Sequence, residues 1–391
     1  MQTLYQSPTD PAFVQDPFPF YDRAGAAGRF FHWHDYNLTC TGNAAAVNAI
    51  FRDRRFGREP VDPLPIPDHL APFYAVEAHS MLELEPPRHT RLRSLVLRAF
   101  TSRRIAALAP EIEALCHQLI DGFPVGTFDL LQHYGARVPV IIIARLLGVP
   151  EDRSDDLLRW SNAMVGMYMA GRTRATENLA VAATEAFVAF LRSYIEARRA
   201  APADDLITHL IAAEEQGERL TTDELISTCI LLLNAGHEAT VHTIGNGVKV
   251  LLETGTLPEM LAADRTEGTV EEILRFDPPL HMFTRWAYED IDVMGHEFRR
   301  GDQVALLLAA ANRDPGVWEQ PATFDPTRLV KPNASFGAGL HFCVGAPLAR
   351  LELQIALPVL FRRLPGLRLV EAPKYADVYH FHGLRRLMVA G

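Results

Sequence analysis

The 33 residues TTDELISTCILLLNAGHEATVHTIGNGVKVLLE, Thr221 to Glu253, constrain the fold more than any other stretch of the chain. Thr221 and Glu224 stand at capping-box spacing, which predicts a helix from Asp223 to about Glu253. Apolar residues lie on nearly every face, the pattern of a helix buried at the centre of a protein. At ~1.5 Å per residue such a helix crosses a whole domain. The rest of the chain must wrap it. With 48% apolar and 22% charged residues among 391, it can do so as an ordinary globular protein.

The flanking sequence agrees. From Arg88 to about residue 276 apolar residues recur at three and four, as in APEIEALCHQLIDGF and TENLAVAATEAFVAFLRSYIEARRA. Before this, RFFHWHDYNLTCTG reads as short strands, and EPVDPLPIPDHLAPFY as a proline-rich loop. After Pro278, HMFTRWAYEDIDVMG and QVALLLAA are strand-like, and NRDPGVWEQPATFDPTRLVKP is a meander. LARLELQIALPVLFRRL predicts a helix kinked at Pro358, and LRLVEAP and GLRRLMVAG a closing strand pair. No repeat or low-complexity linker divides the chain. The expected fold is mainly α with a small β portion in one domain: a β-rich part at about 20–60, a helical core at about 88–276 and a C-terminal part at about 277–391.

Charge and cysteine usage exclude several classes. The net charge of −10 argues against a nucleic-acid partner, which needs a basic face. Cys40, Cys116, Cys229 and Cys343 are far apart with no CxxC pair, so neither a disulfide framework nor a structural zinc site is expected. The polar, proline-rich N-terminus has no apolar signal core. VPVIIIARLLGV is too short to span a bilayer and carries Arg145. The expectation is a cytoplasmic protein that binds no membrane.

One cysteine has an unusual setting. FGAGLHFCVG, residues 336–345, puts Cys343 just before a helix, where free N–H groups and the helix dipole favour a thiolate. Gly337, Gly339 and Gly345 let backbone approach something flat, with Phe336 and Phe342 as apolar flanks. A thiolate offered to a planar apolar body suggests an axial ligand to haem iron. The pattern F-G-x-G-x-H-x-C-x-G resembles that of the cytochromes P450, a class for which thiolate ligation of haem is a general rule. The resemblance implies that Cys343 ligates the iron of haem b and that His341 hydrogen-bonds a propionate.

Further motifs resemble the family from about Glu83 to the C-terminus. Glu272 and Arg275 stand one turn apart, and the resemblance implies that they hold the meander. The spacing alone says little, since Glu85/Arg88, Glu196/Arg199 and Glu297/Arg300 share it. His89 and Arg93 in HTRLR, and Arg285 in FTRWA, resemble the propionate clamp, a task for which bidentate arginine is suited.

In AGHEAT, residues 235–240, His237, Glu238 and His242 nearly spell the HExxH of zinc proteases. The histidines are five apart rather than four, about 140° further round the helix axis, so a zinc site is not expected. By the resemblance, this stretch interrupts the long helix as the oxygen-binding bend. Ala235 and Gly236 would leave room for dioxygen, and Glu238 would feed protons inward. The family places a threonine directly after the acid. Here Ala239 holds that position and Thr240 follows, about 100° away round the axis.

The resemblance implies a monooxygenase that inserts one oxygen atom from O2 into a largely apolar substrate bearing oxygen functions. Electrons would come from an external ferredoxin and its reductase, docked on Arg91, Arg98, Arg103, Arg104 and Arg350. An H2O2-dependent peroxygenase and a haem-thiolate gas sensor are the alternatives. Phe73, Tyr74, Asn234, His281, His380 and Phe381 are expected to face the substrate, with Met164, Met167, Tyr168 and Met169 as a pliable roof.

Overall fold

The computed structural model describes residues 1–63, 65–215, 217–256 and 258–391; Leu64 in the proline-rich loop, Gln216 and Leu257 lie outside them. The central helix runs from Thr222 to Glu253. Both capping-box bonds form, Glu224 N–H to Thr221 Oγ1 at 3.2 Å and Thr221 N–H to Glu224 Oε2 at 2.9 Å. Helices Arg137–Leu147, Ser154–Val165, Arg174–Ala200, Thr266–Phe276 and Ala346–Arg363 pack around it. The expected interruption at 235–240 is absent, and the element is continuous through AGHEAT. The helix Ala346–Arg363 also runs on through Pro358.

The β portion is more unified than its sequence suggests. Strands Gln2–Leu4, Phe31–Trp33, Leu38–Thr41, Gln303–Leu307, Met282–Ala287 and Phe56–Gly57 join in that spatial order in one six-stranded sheet. Val304 pairs with Thr39 on one side and Arg285 on the other, so strands some 260 residues apart share one ladder. The β-rich part thus begins at Gln2, before the expected boundary near residue 20. The closing strands do pair, Arg368 with Ala390 and Leu369 with Val389.

The buried Glu272–Arg275 pair organises the meander. Arg275 grips Glu272 with two bonds of 2.7 Å, and both side chains are within 3% of full burial. Its other donors reach the carbonyls of Asn312, Pro321 and Thr323. Glu272 Oε1 accepts from Asp325 N–H and from Arg328. The same spacing elsewhere forms no such buried pair: Glu196–Arg199 is exposed, and Glu85 and Arg88 bond to different partners. Removing one member of a buried pair strands the other charge, at a cost of about 3–5 kcal/mol. Arg275→Ala should lose about that much stability in denaturant unfolding, against less than about 1 kcal/mol for Arg199→Ala. Equal losses would show that the meander does not depend on this pair.

Two histidines near the C-terminus are buried as neutral rings, with burial holding His380 at about 4 and His382 at about 3. Below their ordinary value of 6.5 the unfolded chain takes up these protons first, so stability falls with pH. Each contributes a loss of about 1.4 kcal/mol per pH unit down to its folded value. His382→Asn should therefore lose less stability than the parent chain on acidification from about pH 6 to about pH 4. Parallel stability curves would contradict this account.

Candidate active site

The loop 336–345 closes on itself through Cys343 N–H to the Phe336 carbonyl, at 3.0 Å. Gly337 and Gly339 have φ of +65° and +69°. A Cβ on Gly339 would fall 2.1 Å from the Phe51 carbonyl oxygen, so this turn admits only glycine. At Gly345 a Cβ would meet only Cys343 Sγ, at 3.8 Å. Protein packing does not demand that glycine. Burial pushes the Cys343 thiol up, partly offset by the N–H groups of Gly345 and Ala346 and by Arg93 and Arg350. The expected thiolate is thus not favoured by the helix start alone; it needs a metal, which deprotonates a coordinating thiol.

Beside the loop, donors converge. His341 Nε2 donates to Glu85 Oε1 at 2.9 Å, and its ring lies 4.4 Å from that of His89. His89 is buried with no partner for Nδ1. Arg93 donates to the Phe342 carbonyl at 2.7 Å. Arg285 bonds only the Thr284 carbonyl, stacks 4.9 Å over Phe51 and has no carboxylate ion-pair partner among the described residues. Burial holds its pKa down at about 10. A cleft of about 360 Å³ lined by Phe51, Phe56, Arg285, Gly339 and His341 opens here. A buried guanidinium without its own acid is costly, and this corner is built for an anion. Glu85 went unrecognised in the sequence because its spacing with Arg88 is shared by surface pairs.

The central helix carries an accessible stripe of its own. Ala235 is exposed although it lies mid-way along a buried helix, and Leu231, Glu238, Ala239 and His242 are partly accessible. This stripe at helical spacing marks an internal cavity wall. Ala235 and Ala239 lie on this stripe, and Gly236 beside it packs closely on a neighbouring helix. A Cβ on Gly236 would lie 3.3 Å from Ile143, so that glycine serves close packing with the helix Arg137–Leu147. Glu238 Oε1 is held by His242 Nε2 at 3.2 Å, and Oε2 lies 3.5 Å from His237 Nε2. Burial would raise the Glu238 pKa, but His242 and His237 together keep it below the usual carboxylate value. Thr240 is buried and turned to the Gly236 carbonyl at 3.4 Å.

The other expected site residues divide. Asn234 touches Met164 through Nδ2, and its other amide atom is buried without a partner. Phe73 packs on Tyr74 and Tyr168. His281 is fully buried, with Nδ1 on the Tyr21 hydroxyl at 2.9 Å, and His380 packs on Tyr36 and Tyr379. His281 is built into the N-terminal aromatic cluster, and His380 lies at its edge, partly accessible. Phe381 bridges to Leu280. Asp277, His281 and His382 bring ligand atoms within 4.8 Å of one another. Arg313 and Lys249 act on this cluster with positive charge, which opposes a bound cation. Of the expected docking arginines, Arg98 and Arg103 are exposed, and Arg91, Arg104 and Arg350 bond Glu224, Asp204 and Glu271.

Residues 264–365 match the family model described as Cytochrome P450. A Bacillus subtilis (strain 168) protein named biotin biosynthesis cytochrome P450 is 35% identical over 403 residues, covering 99% of both chains. The chain is a cytochrome P450. The vitamin D(3) 25-hydroxylase of Pseudonocardia autotrophica is 37% identical, covering 96% of this P450 and 94% of its own length. The solved structure of P450BioI with a hexadec-9Z-enoic acid ligated acyl carrier protein has a TM-score of 0.92 at 33% identity, over 97% of this chain and 99% of that one.

As a P450, the enzyme is a haem-dependent monooxygenase, an oxidoreductase. Its own residues fit the haem: Cys343 would hold the iron, and His89, Arg93, Arg285 and His341 would meet the propionates. When bound, the haem supplies the activation of dioxygen from which one atom enters the substrate. No helix of the described residues is long and apolar enough to cross a membrane. Cys343→Ser should lose the red-shifted Soret band of the reduced CO complex, because a hydroxyl cannot match thiolate donation. An unchanged band would remove Cys343 from the iron.

Proposed function

We propose that this P450 inserts one oxygen atom from O2 into a mainly apolar small molecule that carries oxygen functions. The observation that carries the reading is Asn234: its amide has a buried, unpartnered polar atom next to cavity-facing Ala235. An unsatisfied buried polar group costs about 1–3 kcal/mol unless a ligand meets it, and a substrate hydroxyl or carbonyl would do so. The relatives named for biotin biosynthesis and vitamin D(3) hydroxylation support a small-molecule substrate. Haem b is the cofactor form proposed, since the sequence has no C-x-x-C-H attachment motif. Electrons would come from an external ferredoxin, for which exposed Arg98 and Arg103 offer positive charge on an otherwise acidic protein.

Proton delivery departs from the family pattern. The methyl of Ala239 cannot donate a proton, and Thr240 is directed to backbone. Glu238 on the cavity wall is the acid available, and a hydroxyl of the substrate itself would pass its proton on. NADH consumed per product should then be near one with the native substrate. It should rise, with peroxide release, for an analogue lacking the hydroxyl nearest the iron. Ala239→Thr should recover part of the coupling for the analogue. Equal coupling for both substrates would show that the protein supplies the whole path. Full turnover with H2O2 and none with ferredoxin would favour a peroxygenase.

A further inference from the structure

The near-miss HExxxH motif has a use that its zinc-like spacing conceals. His237 Nδ1 donates to the Leu233 carbonyl at 2.7 Å, so in the neutral ring Nε2 carries the lone pair. That Nε2 is buried, without a hydrogen-bond partner, and lies 3.5 Å from Glu238 Oε2. Burial lowers the His237 pKa, keeping the ring neutral, while Glu238 is held ionised. A lone pair therefore faces a carboxylate oxygen with no proton between them. On the other side, His242 Nε2 donates to Oε1 and fixes the carboxylate. A Cβ on Gly383 would fall 1.8 Å from His242 Nδ1, so the chain at Gly383 leaves this ring little freedom to turn.

We propose that His237 and Glu238 form a loading slot for one proton, taken up as the haem iron is reduced, with His242 as the positioning residue. Added negative charge above Cys343 raises the proton affinity of nearby groups, and a vacant site between two acceptors gains most. The slot takes up one proton from bulk solvent, relayed through water in the cavity, forming an N–H or O–H bond between Nε2 and Oε2. Glu238 later releases it toward the oxygen being reduced, and the pair returns to carboxylate and neutral imidazole. The electrons come from the redox partner of the established reaction. The inference rests on the proton path proposed above, but the slot fills without substrate, so the two can fail separately.

The test is the ferric–ferrous midpoint potential of the substrate-free holoenzyme against pH. His237 and His242, both on the same helix, are the titratable groups that act on Glu238. One proton per electron makes the equilibrium tenfold pH-dependent per unit, about 59 mV. The parent enzyme should approach that slope near neutral pH. Glu238→Gln and His237→Phe should flatten it, and His242→Leu should keep the slope but displace the pH range over which it holds. The reduced-CO spectrum shows which variants retain the folded haem site; Glu238→Gln, nearly isosteric, carries the test if His237→Phe does not fold. An unchanged slope in Glu238→Gln would overturn the proposal.

Discussion

The Glu272–Arg275 pair is the constraint on which the site depends. One buried guanidinium bonds a carboxylate and three meander carbonyls, so an irregular segment with little core of its own is held by charge-assisted hydrogen bonds. The hold then passes on. Asn312, whose carbonyl Arg275 grips, bonds Ser335 and Ala334 through its side chain, directly before the loop that presents Cys343. The cysteine is placed by this chain of bonds more than by the helix that follows it.

Electrostatics explain the form of the neighbouring corner. The buried Arg285, the half-buried Arg93 and the histidines His89 and His341 lie where protein alone gives them too few acids. Glu85 serves one of them. Burying positive charge without enough acids is unfavourable for folding by itself, and it is resolved by a ligand with two carboxylates. The haem is thus part of the charge balance of this P450 as well as its reaction centre.

The central helix shows how one residue changes a mechanism without changing a fold. Ala for threonine at 239 costs nothing in a helix and leaves packing intact. It removes a donor at the one face that borders the cavity. Beside it, Glu238 is held by His242 one turn along the same helix, an i,i+4 pairing set by helical spacing.

Much of this was readable from the sequence. The central helix, its capping box and the glycine turn before Cys343 follow from local pattern, because helical periodicity, cap chemistry and glycine turns are short-range properties; the propionate donors were implied only by the family resemblance. The buried state of Glu272–Arg275 did not follow from its spacing, which Glu196–Arg199 shares on the surface. Nor did the single sheet that joins residue 2 to residue 307, the packing role of Gly236, or the turning of His281 into the aromatic cluster with His380 at its edge. Each depends on which distant segment lies alongside. Spacing along the chain determines which side chains share a face; only tertiary packing decides whether that face meets water, protein or a cavity, and with it whether a charge is screened or must find a partner.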